Sequence, residues 1–388
     1  MKTGEEKQMK RILSYGMAGG GKGSLIGPAH REAIGLDGRA VLKAGCFSRD
    51  ADNNRRTGAE WGVDTDRIYK DFREMAKAES CRRDGIDFVV IVTPNVSHYA
   101  IARAFLEAGI AVVCDKPLAV TVEQAEELHE LARQKGILFM VTYVYSGYTM
   151  VRQARCMVQQ GMIGQIRTIA AEYPQGWLAE EDMTGNRQAA WRLDPEQAGK
   201  SNTLADIGTH IENTVYRMTG LSVCRLLARM EHVVPGRKLD DNSAVWVEYD
   251  NGASGMYWAS QIAIGHDNGL RVRIYGEEGS LHWFQEEGEK LLYYKKDGTR
   301  MELHKGDAIL DPKAAVYDRM PCGHSEGWIG ALANHYCNFI ECLRAKQAGE
   351  HWEHMKEFPD AHDGVLGMRF IEACVESQEN GNVWVVMQ

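Results

Sequence analysis

The first 140 residues alternate short apolar runs with amphipathic helical patterns, and this alternation constrains the fold more than any other feature of the chain. Two helical patterns, "SHYAIARAFLEAG" and "TVEQAEELHELARQKG", each end at glycine. Nearly continuous apolar strands separated by helices are typical of a parallel sheet covered on both faces. The sequence therefore predicts a doubly wound α/β domain over residues 1–141. Its apolar runs are "RILSYGMAG", "AVLKAGCFS", "IDFVVIVTP" and "IAVVCDKP".

Length and composition exclude several classes of protein. A chain of 388 residues suits two domains, and its 44% hydrophobic and 26% charged residues are those of a globular protein. The net charge of -9, without a Lys/Arg-rich block, argues against a nucleic-acid partner. The first apolar run is too short for a signal peptide or a membrane span, and nine cysteines without a CxxC pair indicate free thiols. We expect a cytoplasmic protein that binds neither nucleic acid nor membrane.

The first predicted strand ends in a glycine-rich loop, "GMAGGGKGSLIGPAH", where a parallel sheet places its ligands. Glycines between a strand and a helix let the backbone approach a pyrophosphate, whose charge the helix N-terminus favours. Gly19 and Gly21 match the first two positions of G-x-G-x-x-G, but the next glycine in phase is Gly27, so the loop is longer than standard. A flexible surface loop is the alternative. We predict that these three glycines bind a nicotinamide dinucleotide.

The end of the second strand, "CFSRDAD", bears on the choice between NAD and NADP. An NAD site is expected to place an acidic residue there, about twenty residues after the glycines. Ser48 and Arg49 are predicted to bind a 2′-phosphate or to stack on the adenine, while Asp50 or Asp52 would bind a ribose hydroxyl. The sequence leaves the choice between the two cofactors open.

Two further strands also end in polar residues. The third is followed by "TPNVSH", in which Ser97 can cap the next helix. Lys116 follows the fourth strand, and Pro117 restricts the backbone before it, so the lysine side chain is directed from a rigid support. A lysine that only solvates a strand end is the alternative. Further cofactor contacts are predicted for Thr93, Pro94, Asn95, His98 and Lys116.

A second polar cluster lies in "LADIGTHIENTVYRM", residues 204–218. Helical spacing places Asp206, His210 and Asn213 on one face, beside an apolar stripe. Such a helix is typical of the edge of a cleft, and a solvated polar face is the alternative. The spacing of Asp206 and His210 also suits metal ligands, but no third ligand follows, and the "HWEH" histidines have no second cluster. We therefore predict no metal site.

The second half of the chain alternates apolar and polar residues around Asp-Gly, Asn-Gly and Gly-Ser turns, as in "LDDNSAVWVEYDNGASGMYWASQ" and "GLRVRIYGEEGSLHWF". This alternation is typical of antiparallel strands. Two helical patterns, "GWIGALANHYCNFIECLRA" and "GVLGMRFIEACVESQ", precede a closing strand, "NVWVVM". The sequence predicts an α+β domain over residues 142–388.

Several of these motifs together resemble the Gfo/Idh/MocA oxidoreductases. The resemblance rests on the glycine loop as far as His30, on "TPNVSH", on "CDKP" where the family usually has Glu-Lys-Pro, and on "AWRLDPEQAGKSNTLADIGTHIENTVYRMTG". It implies an N-terminal Rossmann domain and an open, mostly antiparallel C-terminal sheet whose exposed face packs against another subunit. It also implies that Lys116 lies at the nicotinamide. Asp115, in place of the usual glutamate, and the longer glycine loop depart from the family's pattern.

The motifs predict an NAD(P)-dependent dehydrogenase that acts on a secondary ring hydroxyl. His210 is expected to accept the hydroxyl proton, because the ordinary pKa of histidine, about 6.5, suits neutral pH better than that of lysine, about 10.4. Lys116 would polarise the hydroxyl oxygen. Asp206 would orient His210 or bind substrate hydroxyls.

The second half offers hydroxyl-binding groups and aromatic rings, but no Arg/Lys cluster of the kind that binds phosphate. We therefore expect a neutral sugar, glycoside or cyclitol as substrate, with Arg192 as the reason to consider a uronate. A redox-neutral NAD-dependent glycosidase and a non-enzymatic nucleotide-sensing regulator are the alternatives. The resemblance also implies a sugar site near His324, Glu326 and Trp328. The predicted substrate-binding residues are Tyr145, Tyr148, Trp177, Trp191, Arg192, Asp206, His210, Asn213 and Trp328.

Overall fold

The computed structural model describes residues 11–387, except for the side chain of Arg187. The prediction that the chain lacks a targeting segment concerns mainly residues 1–10, which lie outside the described range. No helix of the described chain is long and apolar enough to cross a membrane.

The first half forms a parallel sheet of five strands in the order β2-β1-β3-β4-β5. From β1 the chain continues to β2 on one side, whereas β3, β4 and β5 follow on the other side. Such a switch point leaves a crevice between the two halves of the sheet, at the carboxyl ends of the strands. The strands are β1 (Leu13–Gly19), β2 (Ala40–Cys46), β3 (Phe88–Val92), β4 (Ala111–Cys114) and β5 (Phe139–Val141). The helices between them are α1 (Ile26–Gly35), α2 (Ala51–Glu60), α3 (Phe72–Cys81), α4 (His98–Glu107) and α5 (Val122–Lys135).

The second half is built on a nine-stranded sheet in the order β13-β12-β11-β10-β6-β9-β8-β7-β14, antiparallel except for the β6–β9 pair. The predicted fold class is therefore confirmed. Its strands are β6 (Ile166–Pro174), β7 (Val223–Glu231), β8 (Asn242–Tyr249), β9 (Ser254–Ser260), β10 (Arg271–Gly276), β11 (Gly279–Phe284), β12 (Lys290–Lys295), β13 (Arg300–His304) and β14 (Val385–Val386). Its helices are α6 (Thr149–Gln159), α7 (Arg187–Arg192), α8 (Pro195–Ala198), α9 (Thr209–Thr219), α10 (Gly327–Gln347) and α11 (Ala361–Glu379).

The two faces of the large sheet differ in burial. Along β8, Val245 and Val247 are buried, whereas Trp246 between them is 54% exposed. On β9, Tyr257 is buried and Met256 is 42% exposed. Strand residues alternate between the faces of a sheet, so one face packs on the core and the other carries large apolar side chains at the surface.

Helix α10 lies far along the chain but packs on the first domain. Phe339 meets Phe88 of β3 with ring centroids 5.4 Å apart, and Tyr336 hydrogen-bonds through its hydroxyl to Nδ1 of His30 at 2.5 Å. The predicted boundary after residue 141 follows the last strand of the first sheet. The helical cover of that sheet nevertheless includes a segment that the prediction assigned to the second domain, because α10 is apolar around most of its circumference and is buried on both sides.

Candidate active site

A cavity of about 1100 Å³ opens at the carboxyl ends of β1 to β4 and continues into the second domain. Its walls bring together most of the predicted site residues, which come from both halves of the sequence. Those residues are Gly19, Gly21, Ser48, Arg49, Thr93, Pro94, Asn95, His98, Lys116, Tyr145, Trp177, Trp191, Arg192, Asp206, His210 and Trp328.

The glycine loop between β1 and α1 forms one wall of this cavity. Gly19 and Gly20 have φ of +85° and +76°, a left-handed conformation that favours glycine. A Cβ on Gly21 would lie 2.8 Å from the backbone oxygen of Phe47, so only glycine fits this close approach. The bare backbone beside the start of α1 suits a pyrophosphate, and the residues present therefore fit a dinucleotide.

Gly27 has a different role from the one predicted. A Cβ there would lie 2.4 Å from Cα of Gly20, so Gly27 lets α1 pack directly on the loop and does not line the cavity. Gly20, which was absent from the predicted set, takes its place at the cavity wall. The run of three consecutive glycines hides this assignment, because a spacing rule cannot decide which of them faces the ligand.

The end of β2 places Ser48 and Arg49 at the cavity, but neither aspartate. Asp50 accepts a hydrogen bond from the backbone N–H of Asn53 and caps α2, and Asp52 pairs with Arg55 at the surface. Neither carboxylate lines the cavity, and a ribose contact of Asp50 or Asp52 stays a prediction. Lys70, which was not predicted, also lines this end of the cavity.

His98 is buried under the loop that follows β3. Its Nδ1 lies 2.8 Å from the backbone oxygen of Pro117, and its Nε2 lies 2.8 Å from that of Thr93. Burial lowers the pKa of His98, while the hydrogen bonds to the two carbonyl oxygens oppose that shift. The ring lies between the ends of two neighbouring strands. The side chain thus holds the backbone beside Lys116.

Lys116 reaches across the cavity to the second domain. Its Nζ lies 3.0 Å from Oδ1 of Asp206 and also donates to the backbone oxygen of that residue. The Lys116–Pro117 peptide bond is cis. Next to it, the Asp115 carboxylate accepts a hydrogen bond of 2.7 Å from the hydroxyl of Thr142. The lysine and the aspartate of residue 206, predicted from separate motifs, form one ion pair.

The carboxylate of Asp206 has three side-chain donors. Besides Lys116, Nε of Arg192 and Nε2 of Gln261 donate to Oδ2, at 3.1 and 2.8 Å. Burial opposes ionisation of Asp206, but the Arg192 and Lys116 charges outweigh it and hold the pKa well below its usual value. Within residues 11–387, the Asp206 carboxylate forms no hydrogen bond with His210. Asp206 therefore orients the lysine, and the prediction that it orients His210 is wrong.

His210 lies among tyrosine rings, with centroid distances of 4.8 Å to Tyr145 and 6.2 Å to Tyr173. Its Nδ1 is buried and has no hydrogen-bond partner among residues 11–387. Burial, together with the charge of Lys116, lowers the pKa of His210 well below 6.5. At neutral pH the imidazole is therefore uncharged and able to accept a proton.

Asn213 does not line the cavity, contrary to prediction. Its Nδ2 donates to Oδ1 of Asp363 on α11 at 3.1 Å. The predicted i, i+4, i+7 face assumed a regular α-helix, whereas residues Leu204–Gly208 form a π-helical turn. A π-turn holds more residues than an α-turn and rotates the following residues relative to those before it. Asn213 is accordingly removed from the candidate substrate-binding set.

The substrate side of the cavity is aromatic and rich in amides. The guanidinium of Arg192 lies 4.3 Å from the ring centroid of Trp191 and 5.7 Å from that of Trp177. Several lining residues were not predicted, and three of them come from separate strands and loops without a shared motif. These are Tyr173, Gln175 and Asn268, joined by hydrogen bonds at Asn268.

Three residues predicted near the sugar site do not line this cavity. Glu326 pairs with Lys305 and Arg319, at 2.9 and 3.0 Å. Tyr148 accepts a hydrogen bond from Gln285, and His324 is exposed at the surface. Among His324, Glu326 and Trp328, which were predicted together and are all described, Trp328 alone lines the cavity. No group of His, Cys, Asp or Glu in the described chain has an arrangement that could hold a metal ion.

Several known proteins match nearly the full length of the chain. An uncharacterized oxidoreductase of Bacillus subtilis, YfiI, is 37% identical over 98% of both chains. Crystal structures of an inositol dehydrogenase homolog from Azotobacter vinelandii, one with NAD+ and one with NADH and myo-inositol, superpose with TM-scores of 0.94 and 0.90 at 37% and 35% identity. They cover 97% of this chain and 98% of theirs. Levoglucosan dehydrogenase of Pseudarthrobacter phenanthrenivorans is 30% identical over 53% of this chain and 57% of its own.

Two family models match the two halves in order. Residues 13–143 match an oxidoreductase family with an NAD-binding Rossmann fold, and residues 151–282 match the GFO/IDH/MocA C-terminal domain. The first half is thus an NAD-binding domain, and its glycine loop is the wall that fits the dinucleotide. The chain belongs to the Gfo/Idh/MocA family of oxidoreductases and is a nicotinamide-dependent dehydrogenase.

Proposed function

We propose that the protein transfers a hydride between a secondary ring hydroxyl of a neutral sugar, glycoside or cyclitol and a nicotinamide. The observation that carries this proposal is the Lys116–Asp206 ion pair beside an uncharged His210, in the same cavity as the glycine loop. A cation and a proton acceptor side by side are what the oxidation of an alcohol requires.

The two side chains divide the chemistry of the hydroxyl. The bound nicotinamide supplies a carbon that accepts or returns the hydride. The Lys116 ammonium stabilises negative charge on the substrate oxygen, while His210 takes the hydroxyl proton as the carbonyl forms. Asp206 holds the lysine through the ion pair and does not itself exchange a proton, because its pKa is far below neutral. In the reducing direction the same groups act in reverse.

The cavity supports a neutral substrate. Lys116 and Arg192, which both line its substrate side, already share the Asp206 carboxylate, and the neighbouring groups are amides and aromatic rings. A sugar ring stacks its C–H face on aromatic side chains and is fixed by short polar groups. The relatives that bind myo-inositol or are named for levoglucosan support the same class.

The exposed face of the large sheet supports a homo-oligomer. Trp246 and Met256 present apolar area there, and such residues on a two-sided sheet favour burial against a second copy. The free state of all nine cysteines supports a reducing compartment, the cytoplasm.

A substrate panel tests the proposed function. Initial rates are measured with neutral pyranoses, glycosides, inositols, uronates and sugar phosphates, each with NAD and NADP. The proposal expects the highest kcat/KM for a neutral compound, with one reduced nicotinamide formed per turnover. A uronate or sugar phosphate that exceeds every neutral compound tenfold contradicts the substrate class. Release of an aglycone without net reduction of the nicotinamide would indicate a glycosidase instead.

A further inference from the structure

Gln261 directly follows β9 and is fully buried, yet it contacts an active-site residue, Asp206, from the protein interior. It does not line the cavity, and its Nε2 donates a 2.8 Å hydrogen bond to Oδ2 of Asp206. The other oxygen of that carboxylate faces Lys116 at 3.0 Å. The amide and the lysine therefore hold the two oxygens of one carboxylate.

The Gln261 amide is itself fixed on its other side. Its Oε1 accepts hydrogen bonds from Nδ2 of Asn202 at 2.8 Å and from the hydroxyl of Thr203 at 3.3 Å. Both donors also bond to the backbone oxygen of Asp240, at 3.2 and 2.9 Å. Thr203 has a single hydroxyl hydrogen, and its oxygen lies closer to Asp240 than to Gln261. The Asn202 amide therefore determines the orientation of Gln261, because its N–H bonds only to a carbonyl and leaves the NH2 group of Gln261 to face Asp206.

The main chain of Gln261 adds rigidity. Its N–H donates to the backbone oxygen of Asp241, and its carbonyl accepts from Leu178, at 2.9 and 3.0 Å. Asp206, by contrast, lies in the π-helical turn of residues 204–208, whose backbone geometry is less regular than that of an α-helix. The large sheet thus supplies a rigid donor to a carboxylate carried by an irregular turn.

We infer that Gln261 is a positioning residue that sets the orientation of Asp206 and through it the position of the Lys116 ammonium. The inference rests on the proposed function. A carboxylate that rotates away from Lys116 misplaces the ammonium, and displacements of about 1 Å can lower turnover by on the order of 10²-fold. Nucleotide binding depends on the glycine loop, on another wall of the cavity, and is expected to change little.

Two substitutions test this role. Gln261→Leu keeps the approximate volume and removes the donor, while Asn202 and Thr203 keep their bonds to Asp240. We expect kcat to fall by on the order of 10- to 10²-fold, with nucleotide affinity within about threefold of wild type. Gln261→Glu is expected to lose activity at pH 8 and to approach wild type as the pH falls towards 5.5. A protonated carboxyl at position 261 can donate to Asp206 as the amide does. The rate of Gln261→Glu relative to wild type should therefore rise as the pH falls, whereas that of Gln261→Leu should not.

Gln153 provides the matched control. It is a buried glutamine of α6, and its Oε1 accepts a 2.8 Å hydrogen bond from the backbone of Asp311, away from the cavity. Gln153→Leu and Gln153→Glu are expected to leave kcat and its pH profile unchanged. Equal losses at positions 261 and 153, or a Gln261→Leu kcat within twofold of wild type, would overturn the inference and leave the proposed function standing.

A second readout needs no substrate. Acetic anhydride labels the free amine of lysines, and mass spectrometry gives the rate at Lys116. Asp206 covers the Nζ of Lys116 through their 3.0 Å contact. A carboxylate at position 261 repels Asp206 and turns it from the lysine, so Gln261→Glu is expected to raise the labelling rate of Lys116 at pH 8 at least threefold. Gln153→Glu should leave that rate unchanged. Wild-type protein that oxidises no member of the panel contradicts the proposed function, and equal labelling in all variants then contradicts the role of Gln261 separately.

Discussion

Two side chains with opposite electrostatic surroundings carry the proposed chemistry. Lys116 is held by a carboxylate, whereas His210 lies among rings with an unpaired Nδ1 in the described chain. We expect Lys116→Met and His210→Ala each to lower kcat by on the order of 10² or more, because each removes charge or proton transfer at the reacting oxygen. Nucleotide affinity, measured by calorimetry, should stay within about threefold. Near-normal turnover of both variants would contradict the assignment.

The protonation state of His210 predicts an unusual pH profile. Burial and the charge of Lys116 lower its pKa well below 6.5, so the neutral form persists as the pH falls through the range where an exposed histidine titrates. We expect log kcat/KM for oxidation to stay flat from pH 8 to 6.5 and to decrease only at lower pH. Steady-state rates across this range check it, and an acid limb centred at 6.5 or above would be inconsistent with a buried base.

Arg49 is the residue through which cofactor choice can be tested. Arg49 and Lys70 line the same end of the cavity, and neither forms an ion pair within the described part of the chain. A guanidinium there can reach a 2′-phosphate but gains little from a ribose hydroxyl. Arg49→Ala should therefore weaken NADP binding about tenfold more than NAD binding. Equal losses, measured by titration with both nucleotides, would mean that Arg49 only stacks on the adenine.

Single residues were predictable where a motif fixes the backbone around them. Lys116 was found because a strand and a proline enclose it, and His210 because its helix carries a polar line. Asn213 and Gln261 show the limit of this reasoning. The π-helical turn before Asn213 rotates its side chain away from the cavity. The role of Gln261 depends on a hydrogen bond to a residue 55 positions away, and no local sequence pattern indicates such a contact.

At the scale of elements, the contact between α1 and the glycine loop is the most sensitive. A methyl group on Gly27 would lie 2.4 Å from Cα of Gly20, whereas one on Gly35 of the same helix would meet no described atom within 4 Å. Gly27→Ala should push α1 from the loop and weaken nucleotide binding at least tenfold. Gly35→Ala, the matched control, should bind normally and gain about 0.5–1 kcal/mol in unfolding free energy. Normal binding by both variants would show that the close contact is not required.

The elements themselves were largely predictable. The apolar runs of β3 and β4 are buried on both faces and therefore lack polar interruptions, which makes them conspicuous in the sequence. The three-residue strand β5 is too short to carry such a pattern. The parallel pairing of β6 with β9 joins strands separated by about eighty residues, and no local sequence pattern indicates it.

At the scale of the whole molecule, a buried carboxyl away from the cavity makes stability depend on pH. Burial, with a contribution from Asp363, raises the pKa of Glu212 to about 8, compared with an ordinary value of 4.5 for the unfolded chain. The folded protein therefore keeps a proton that the unfolded chain has lost. This contribution to stability is present below pH 4.5 and is lost as the pH rises to 8.

Glu212→Gln removes that dependence. Relative to wild type, its unfolding free energy should increase between pH 5 and 8 by at most about 1.4 kcal/mol per pH unit and level off above pH 8. Urea unfolding at several pH values measures the difference. Glu79 is the control, because its buried carboxylate is paired with Arg67 and accepts from Tyr69. Glu79→Gln should destabilise by roughly 3 kcal/mol, because it leaves the buried Arg67 without its carboxylate partner. A pH-independent effect of Glu212→Gln would contradict the raised pKa.

A ribosome completes the five strands of the first sheet long before it reaches α10. Roughly 200 residues separate Val141 from Gln347, an interval of about 10–40 s at about 5–20 residues per second. Until then, the face of the sheet that will meet Phe339 and Tyr336 stays uncovered in the nascent chain. Uncovered apolar surface of this kind is what chaperones bind and what drives aggregation. The nucleotide-binding half is therefore synthesised first, but its core is completed only after α10 has been made. A fragment that ends at residue 141 would lack part of that core.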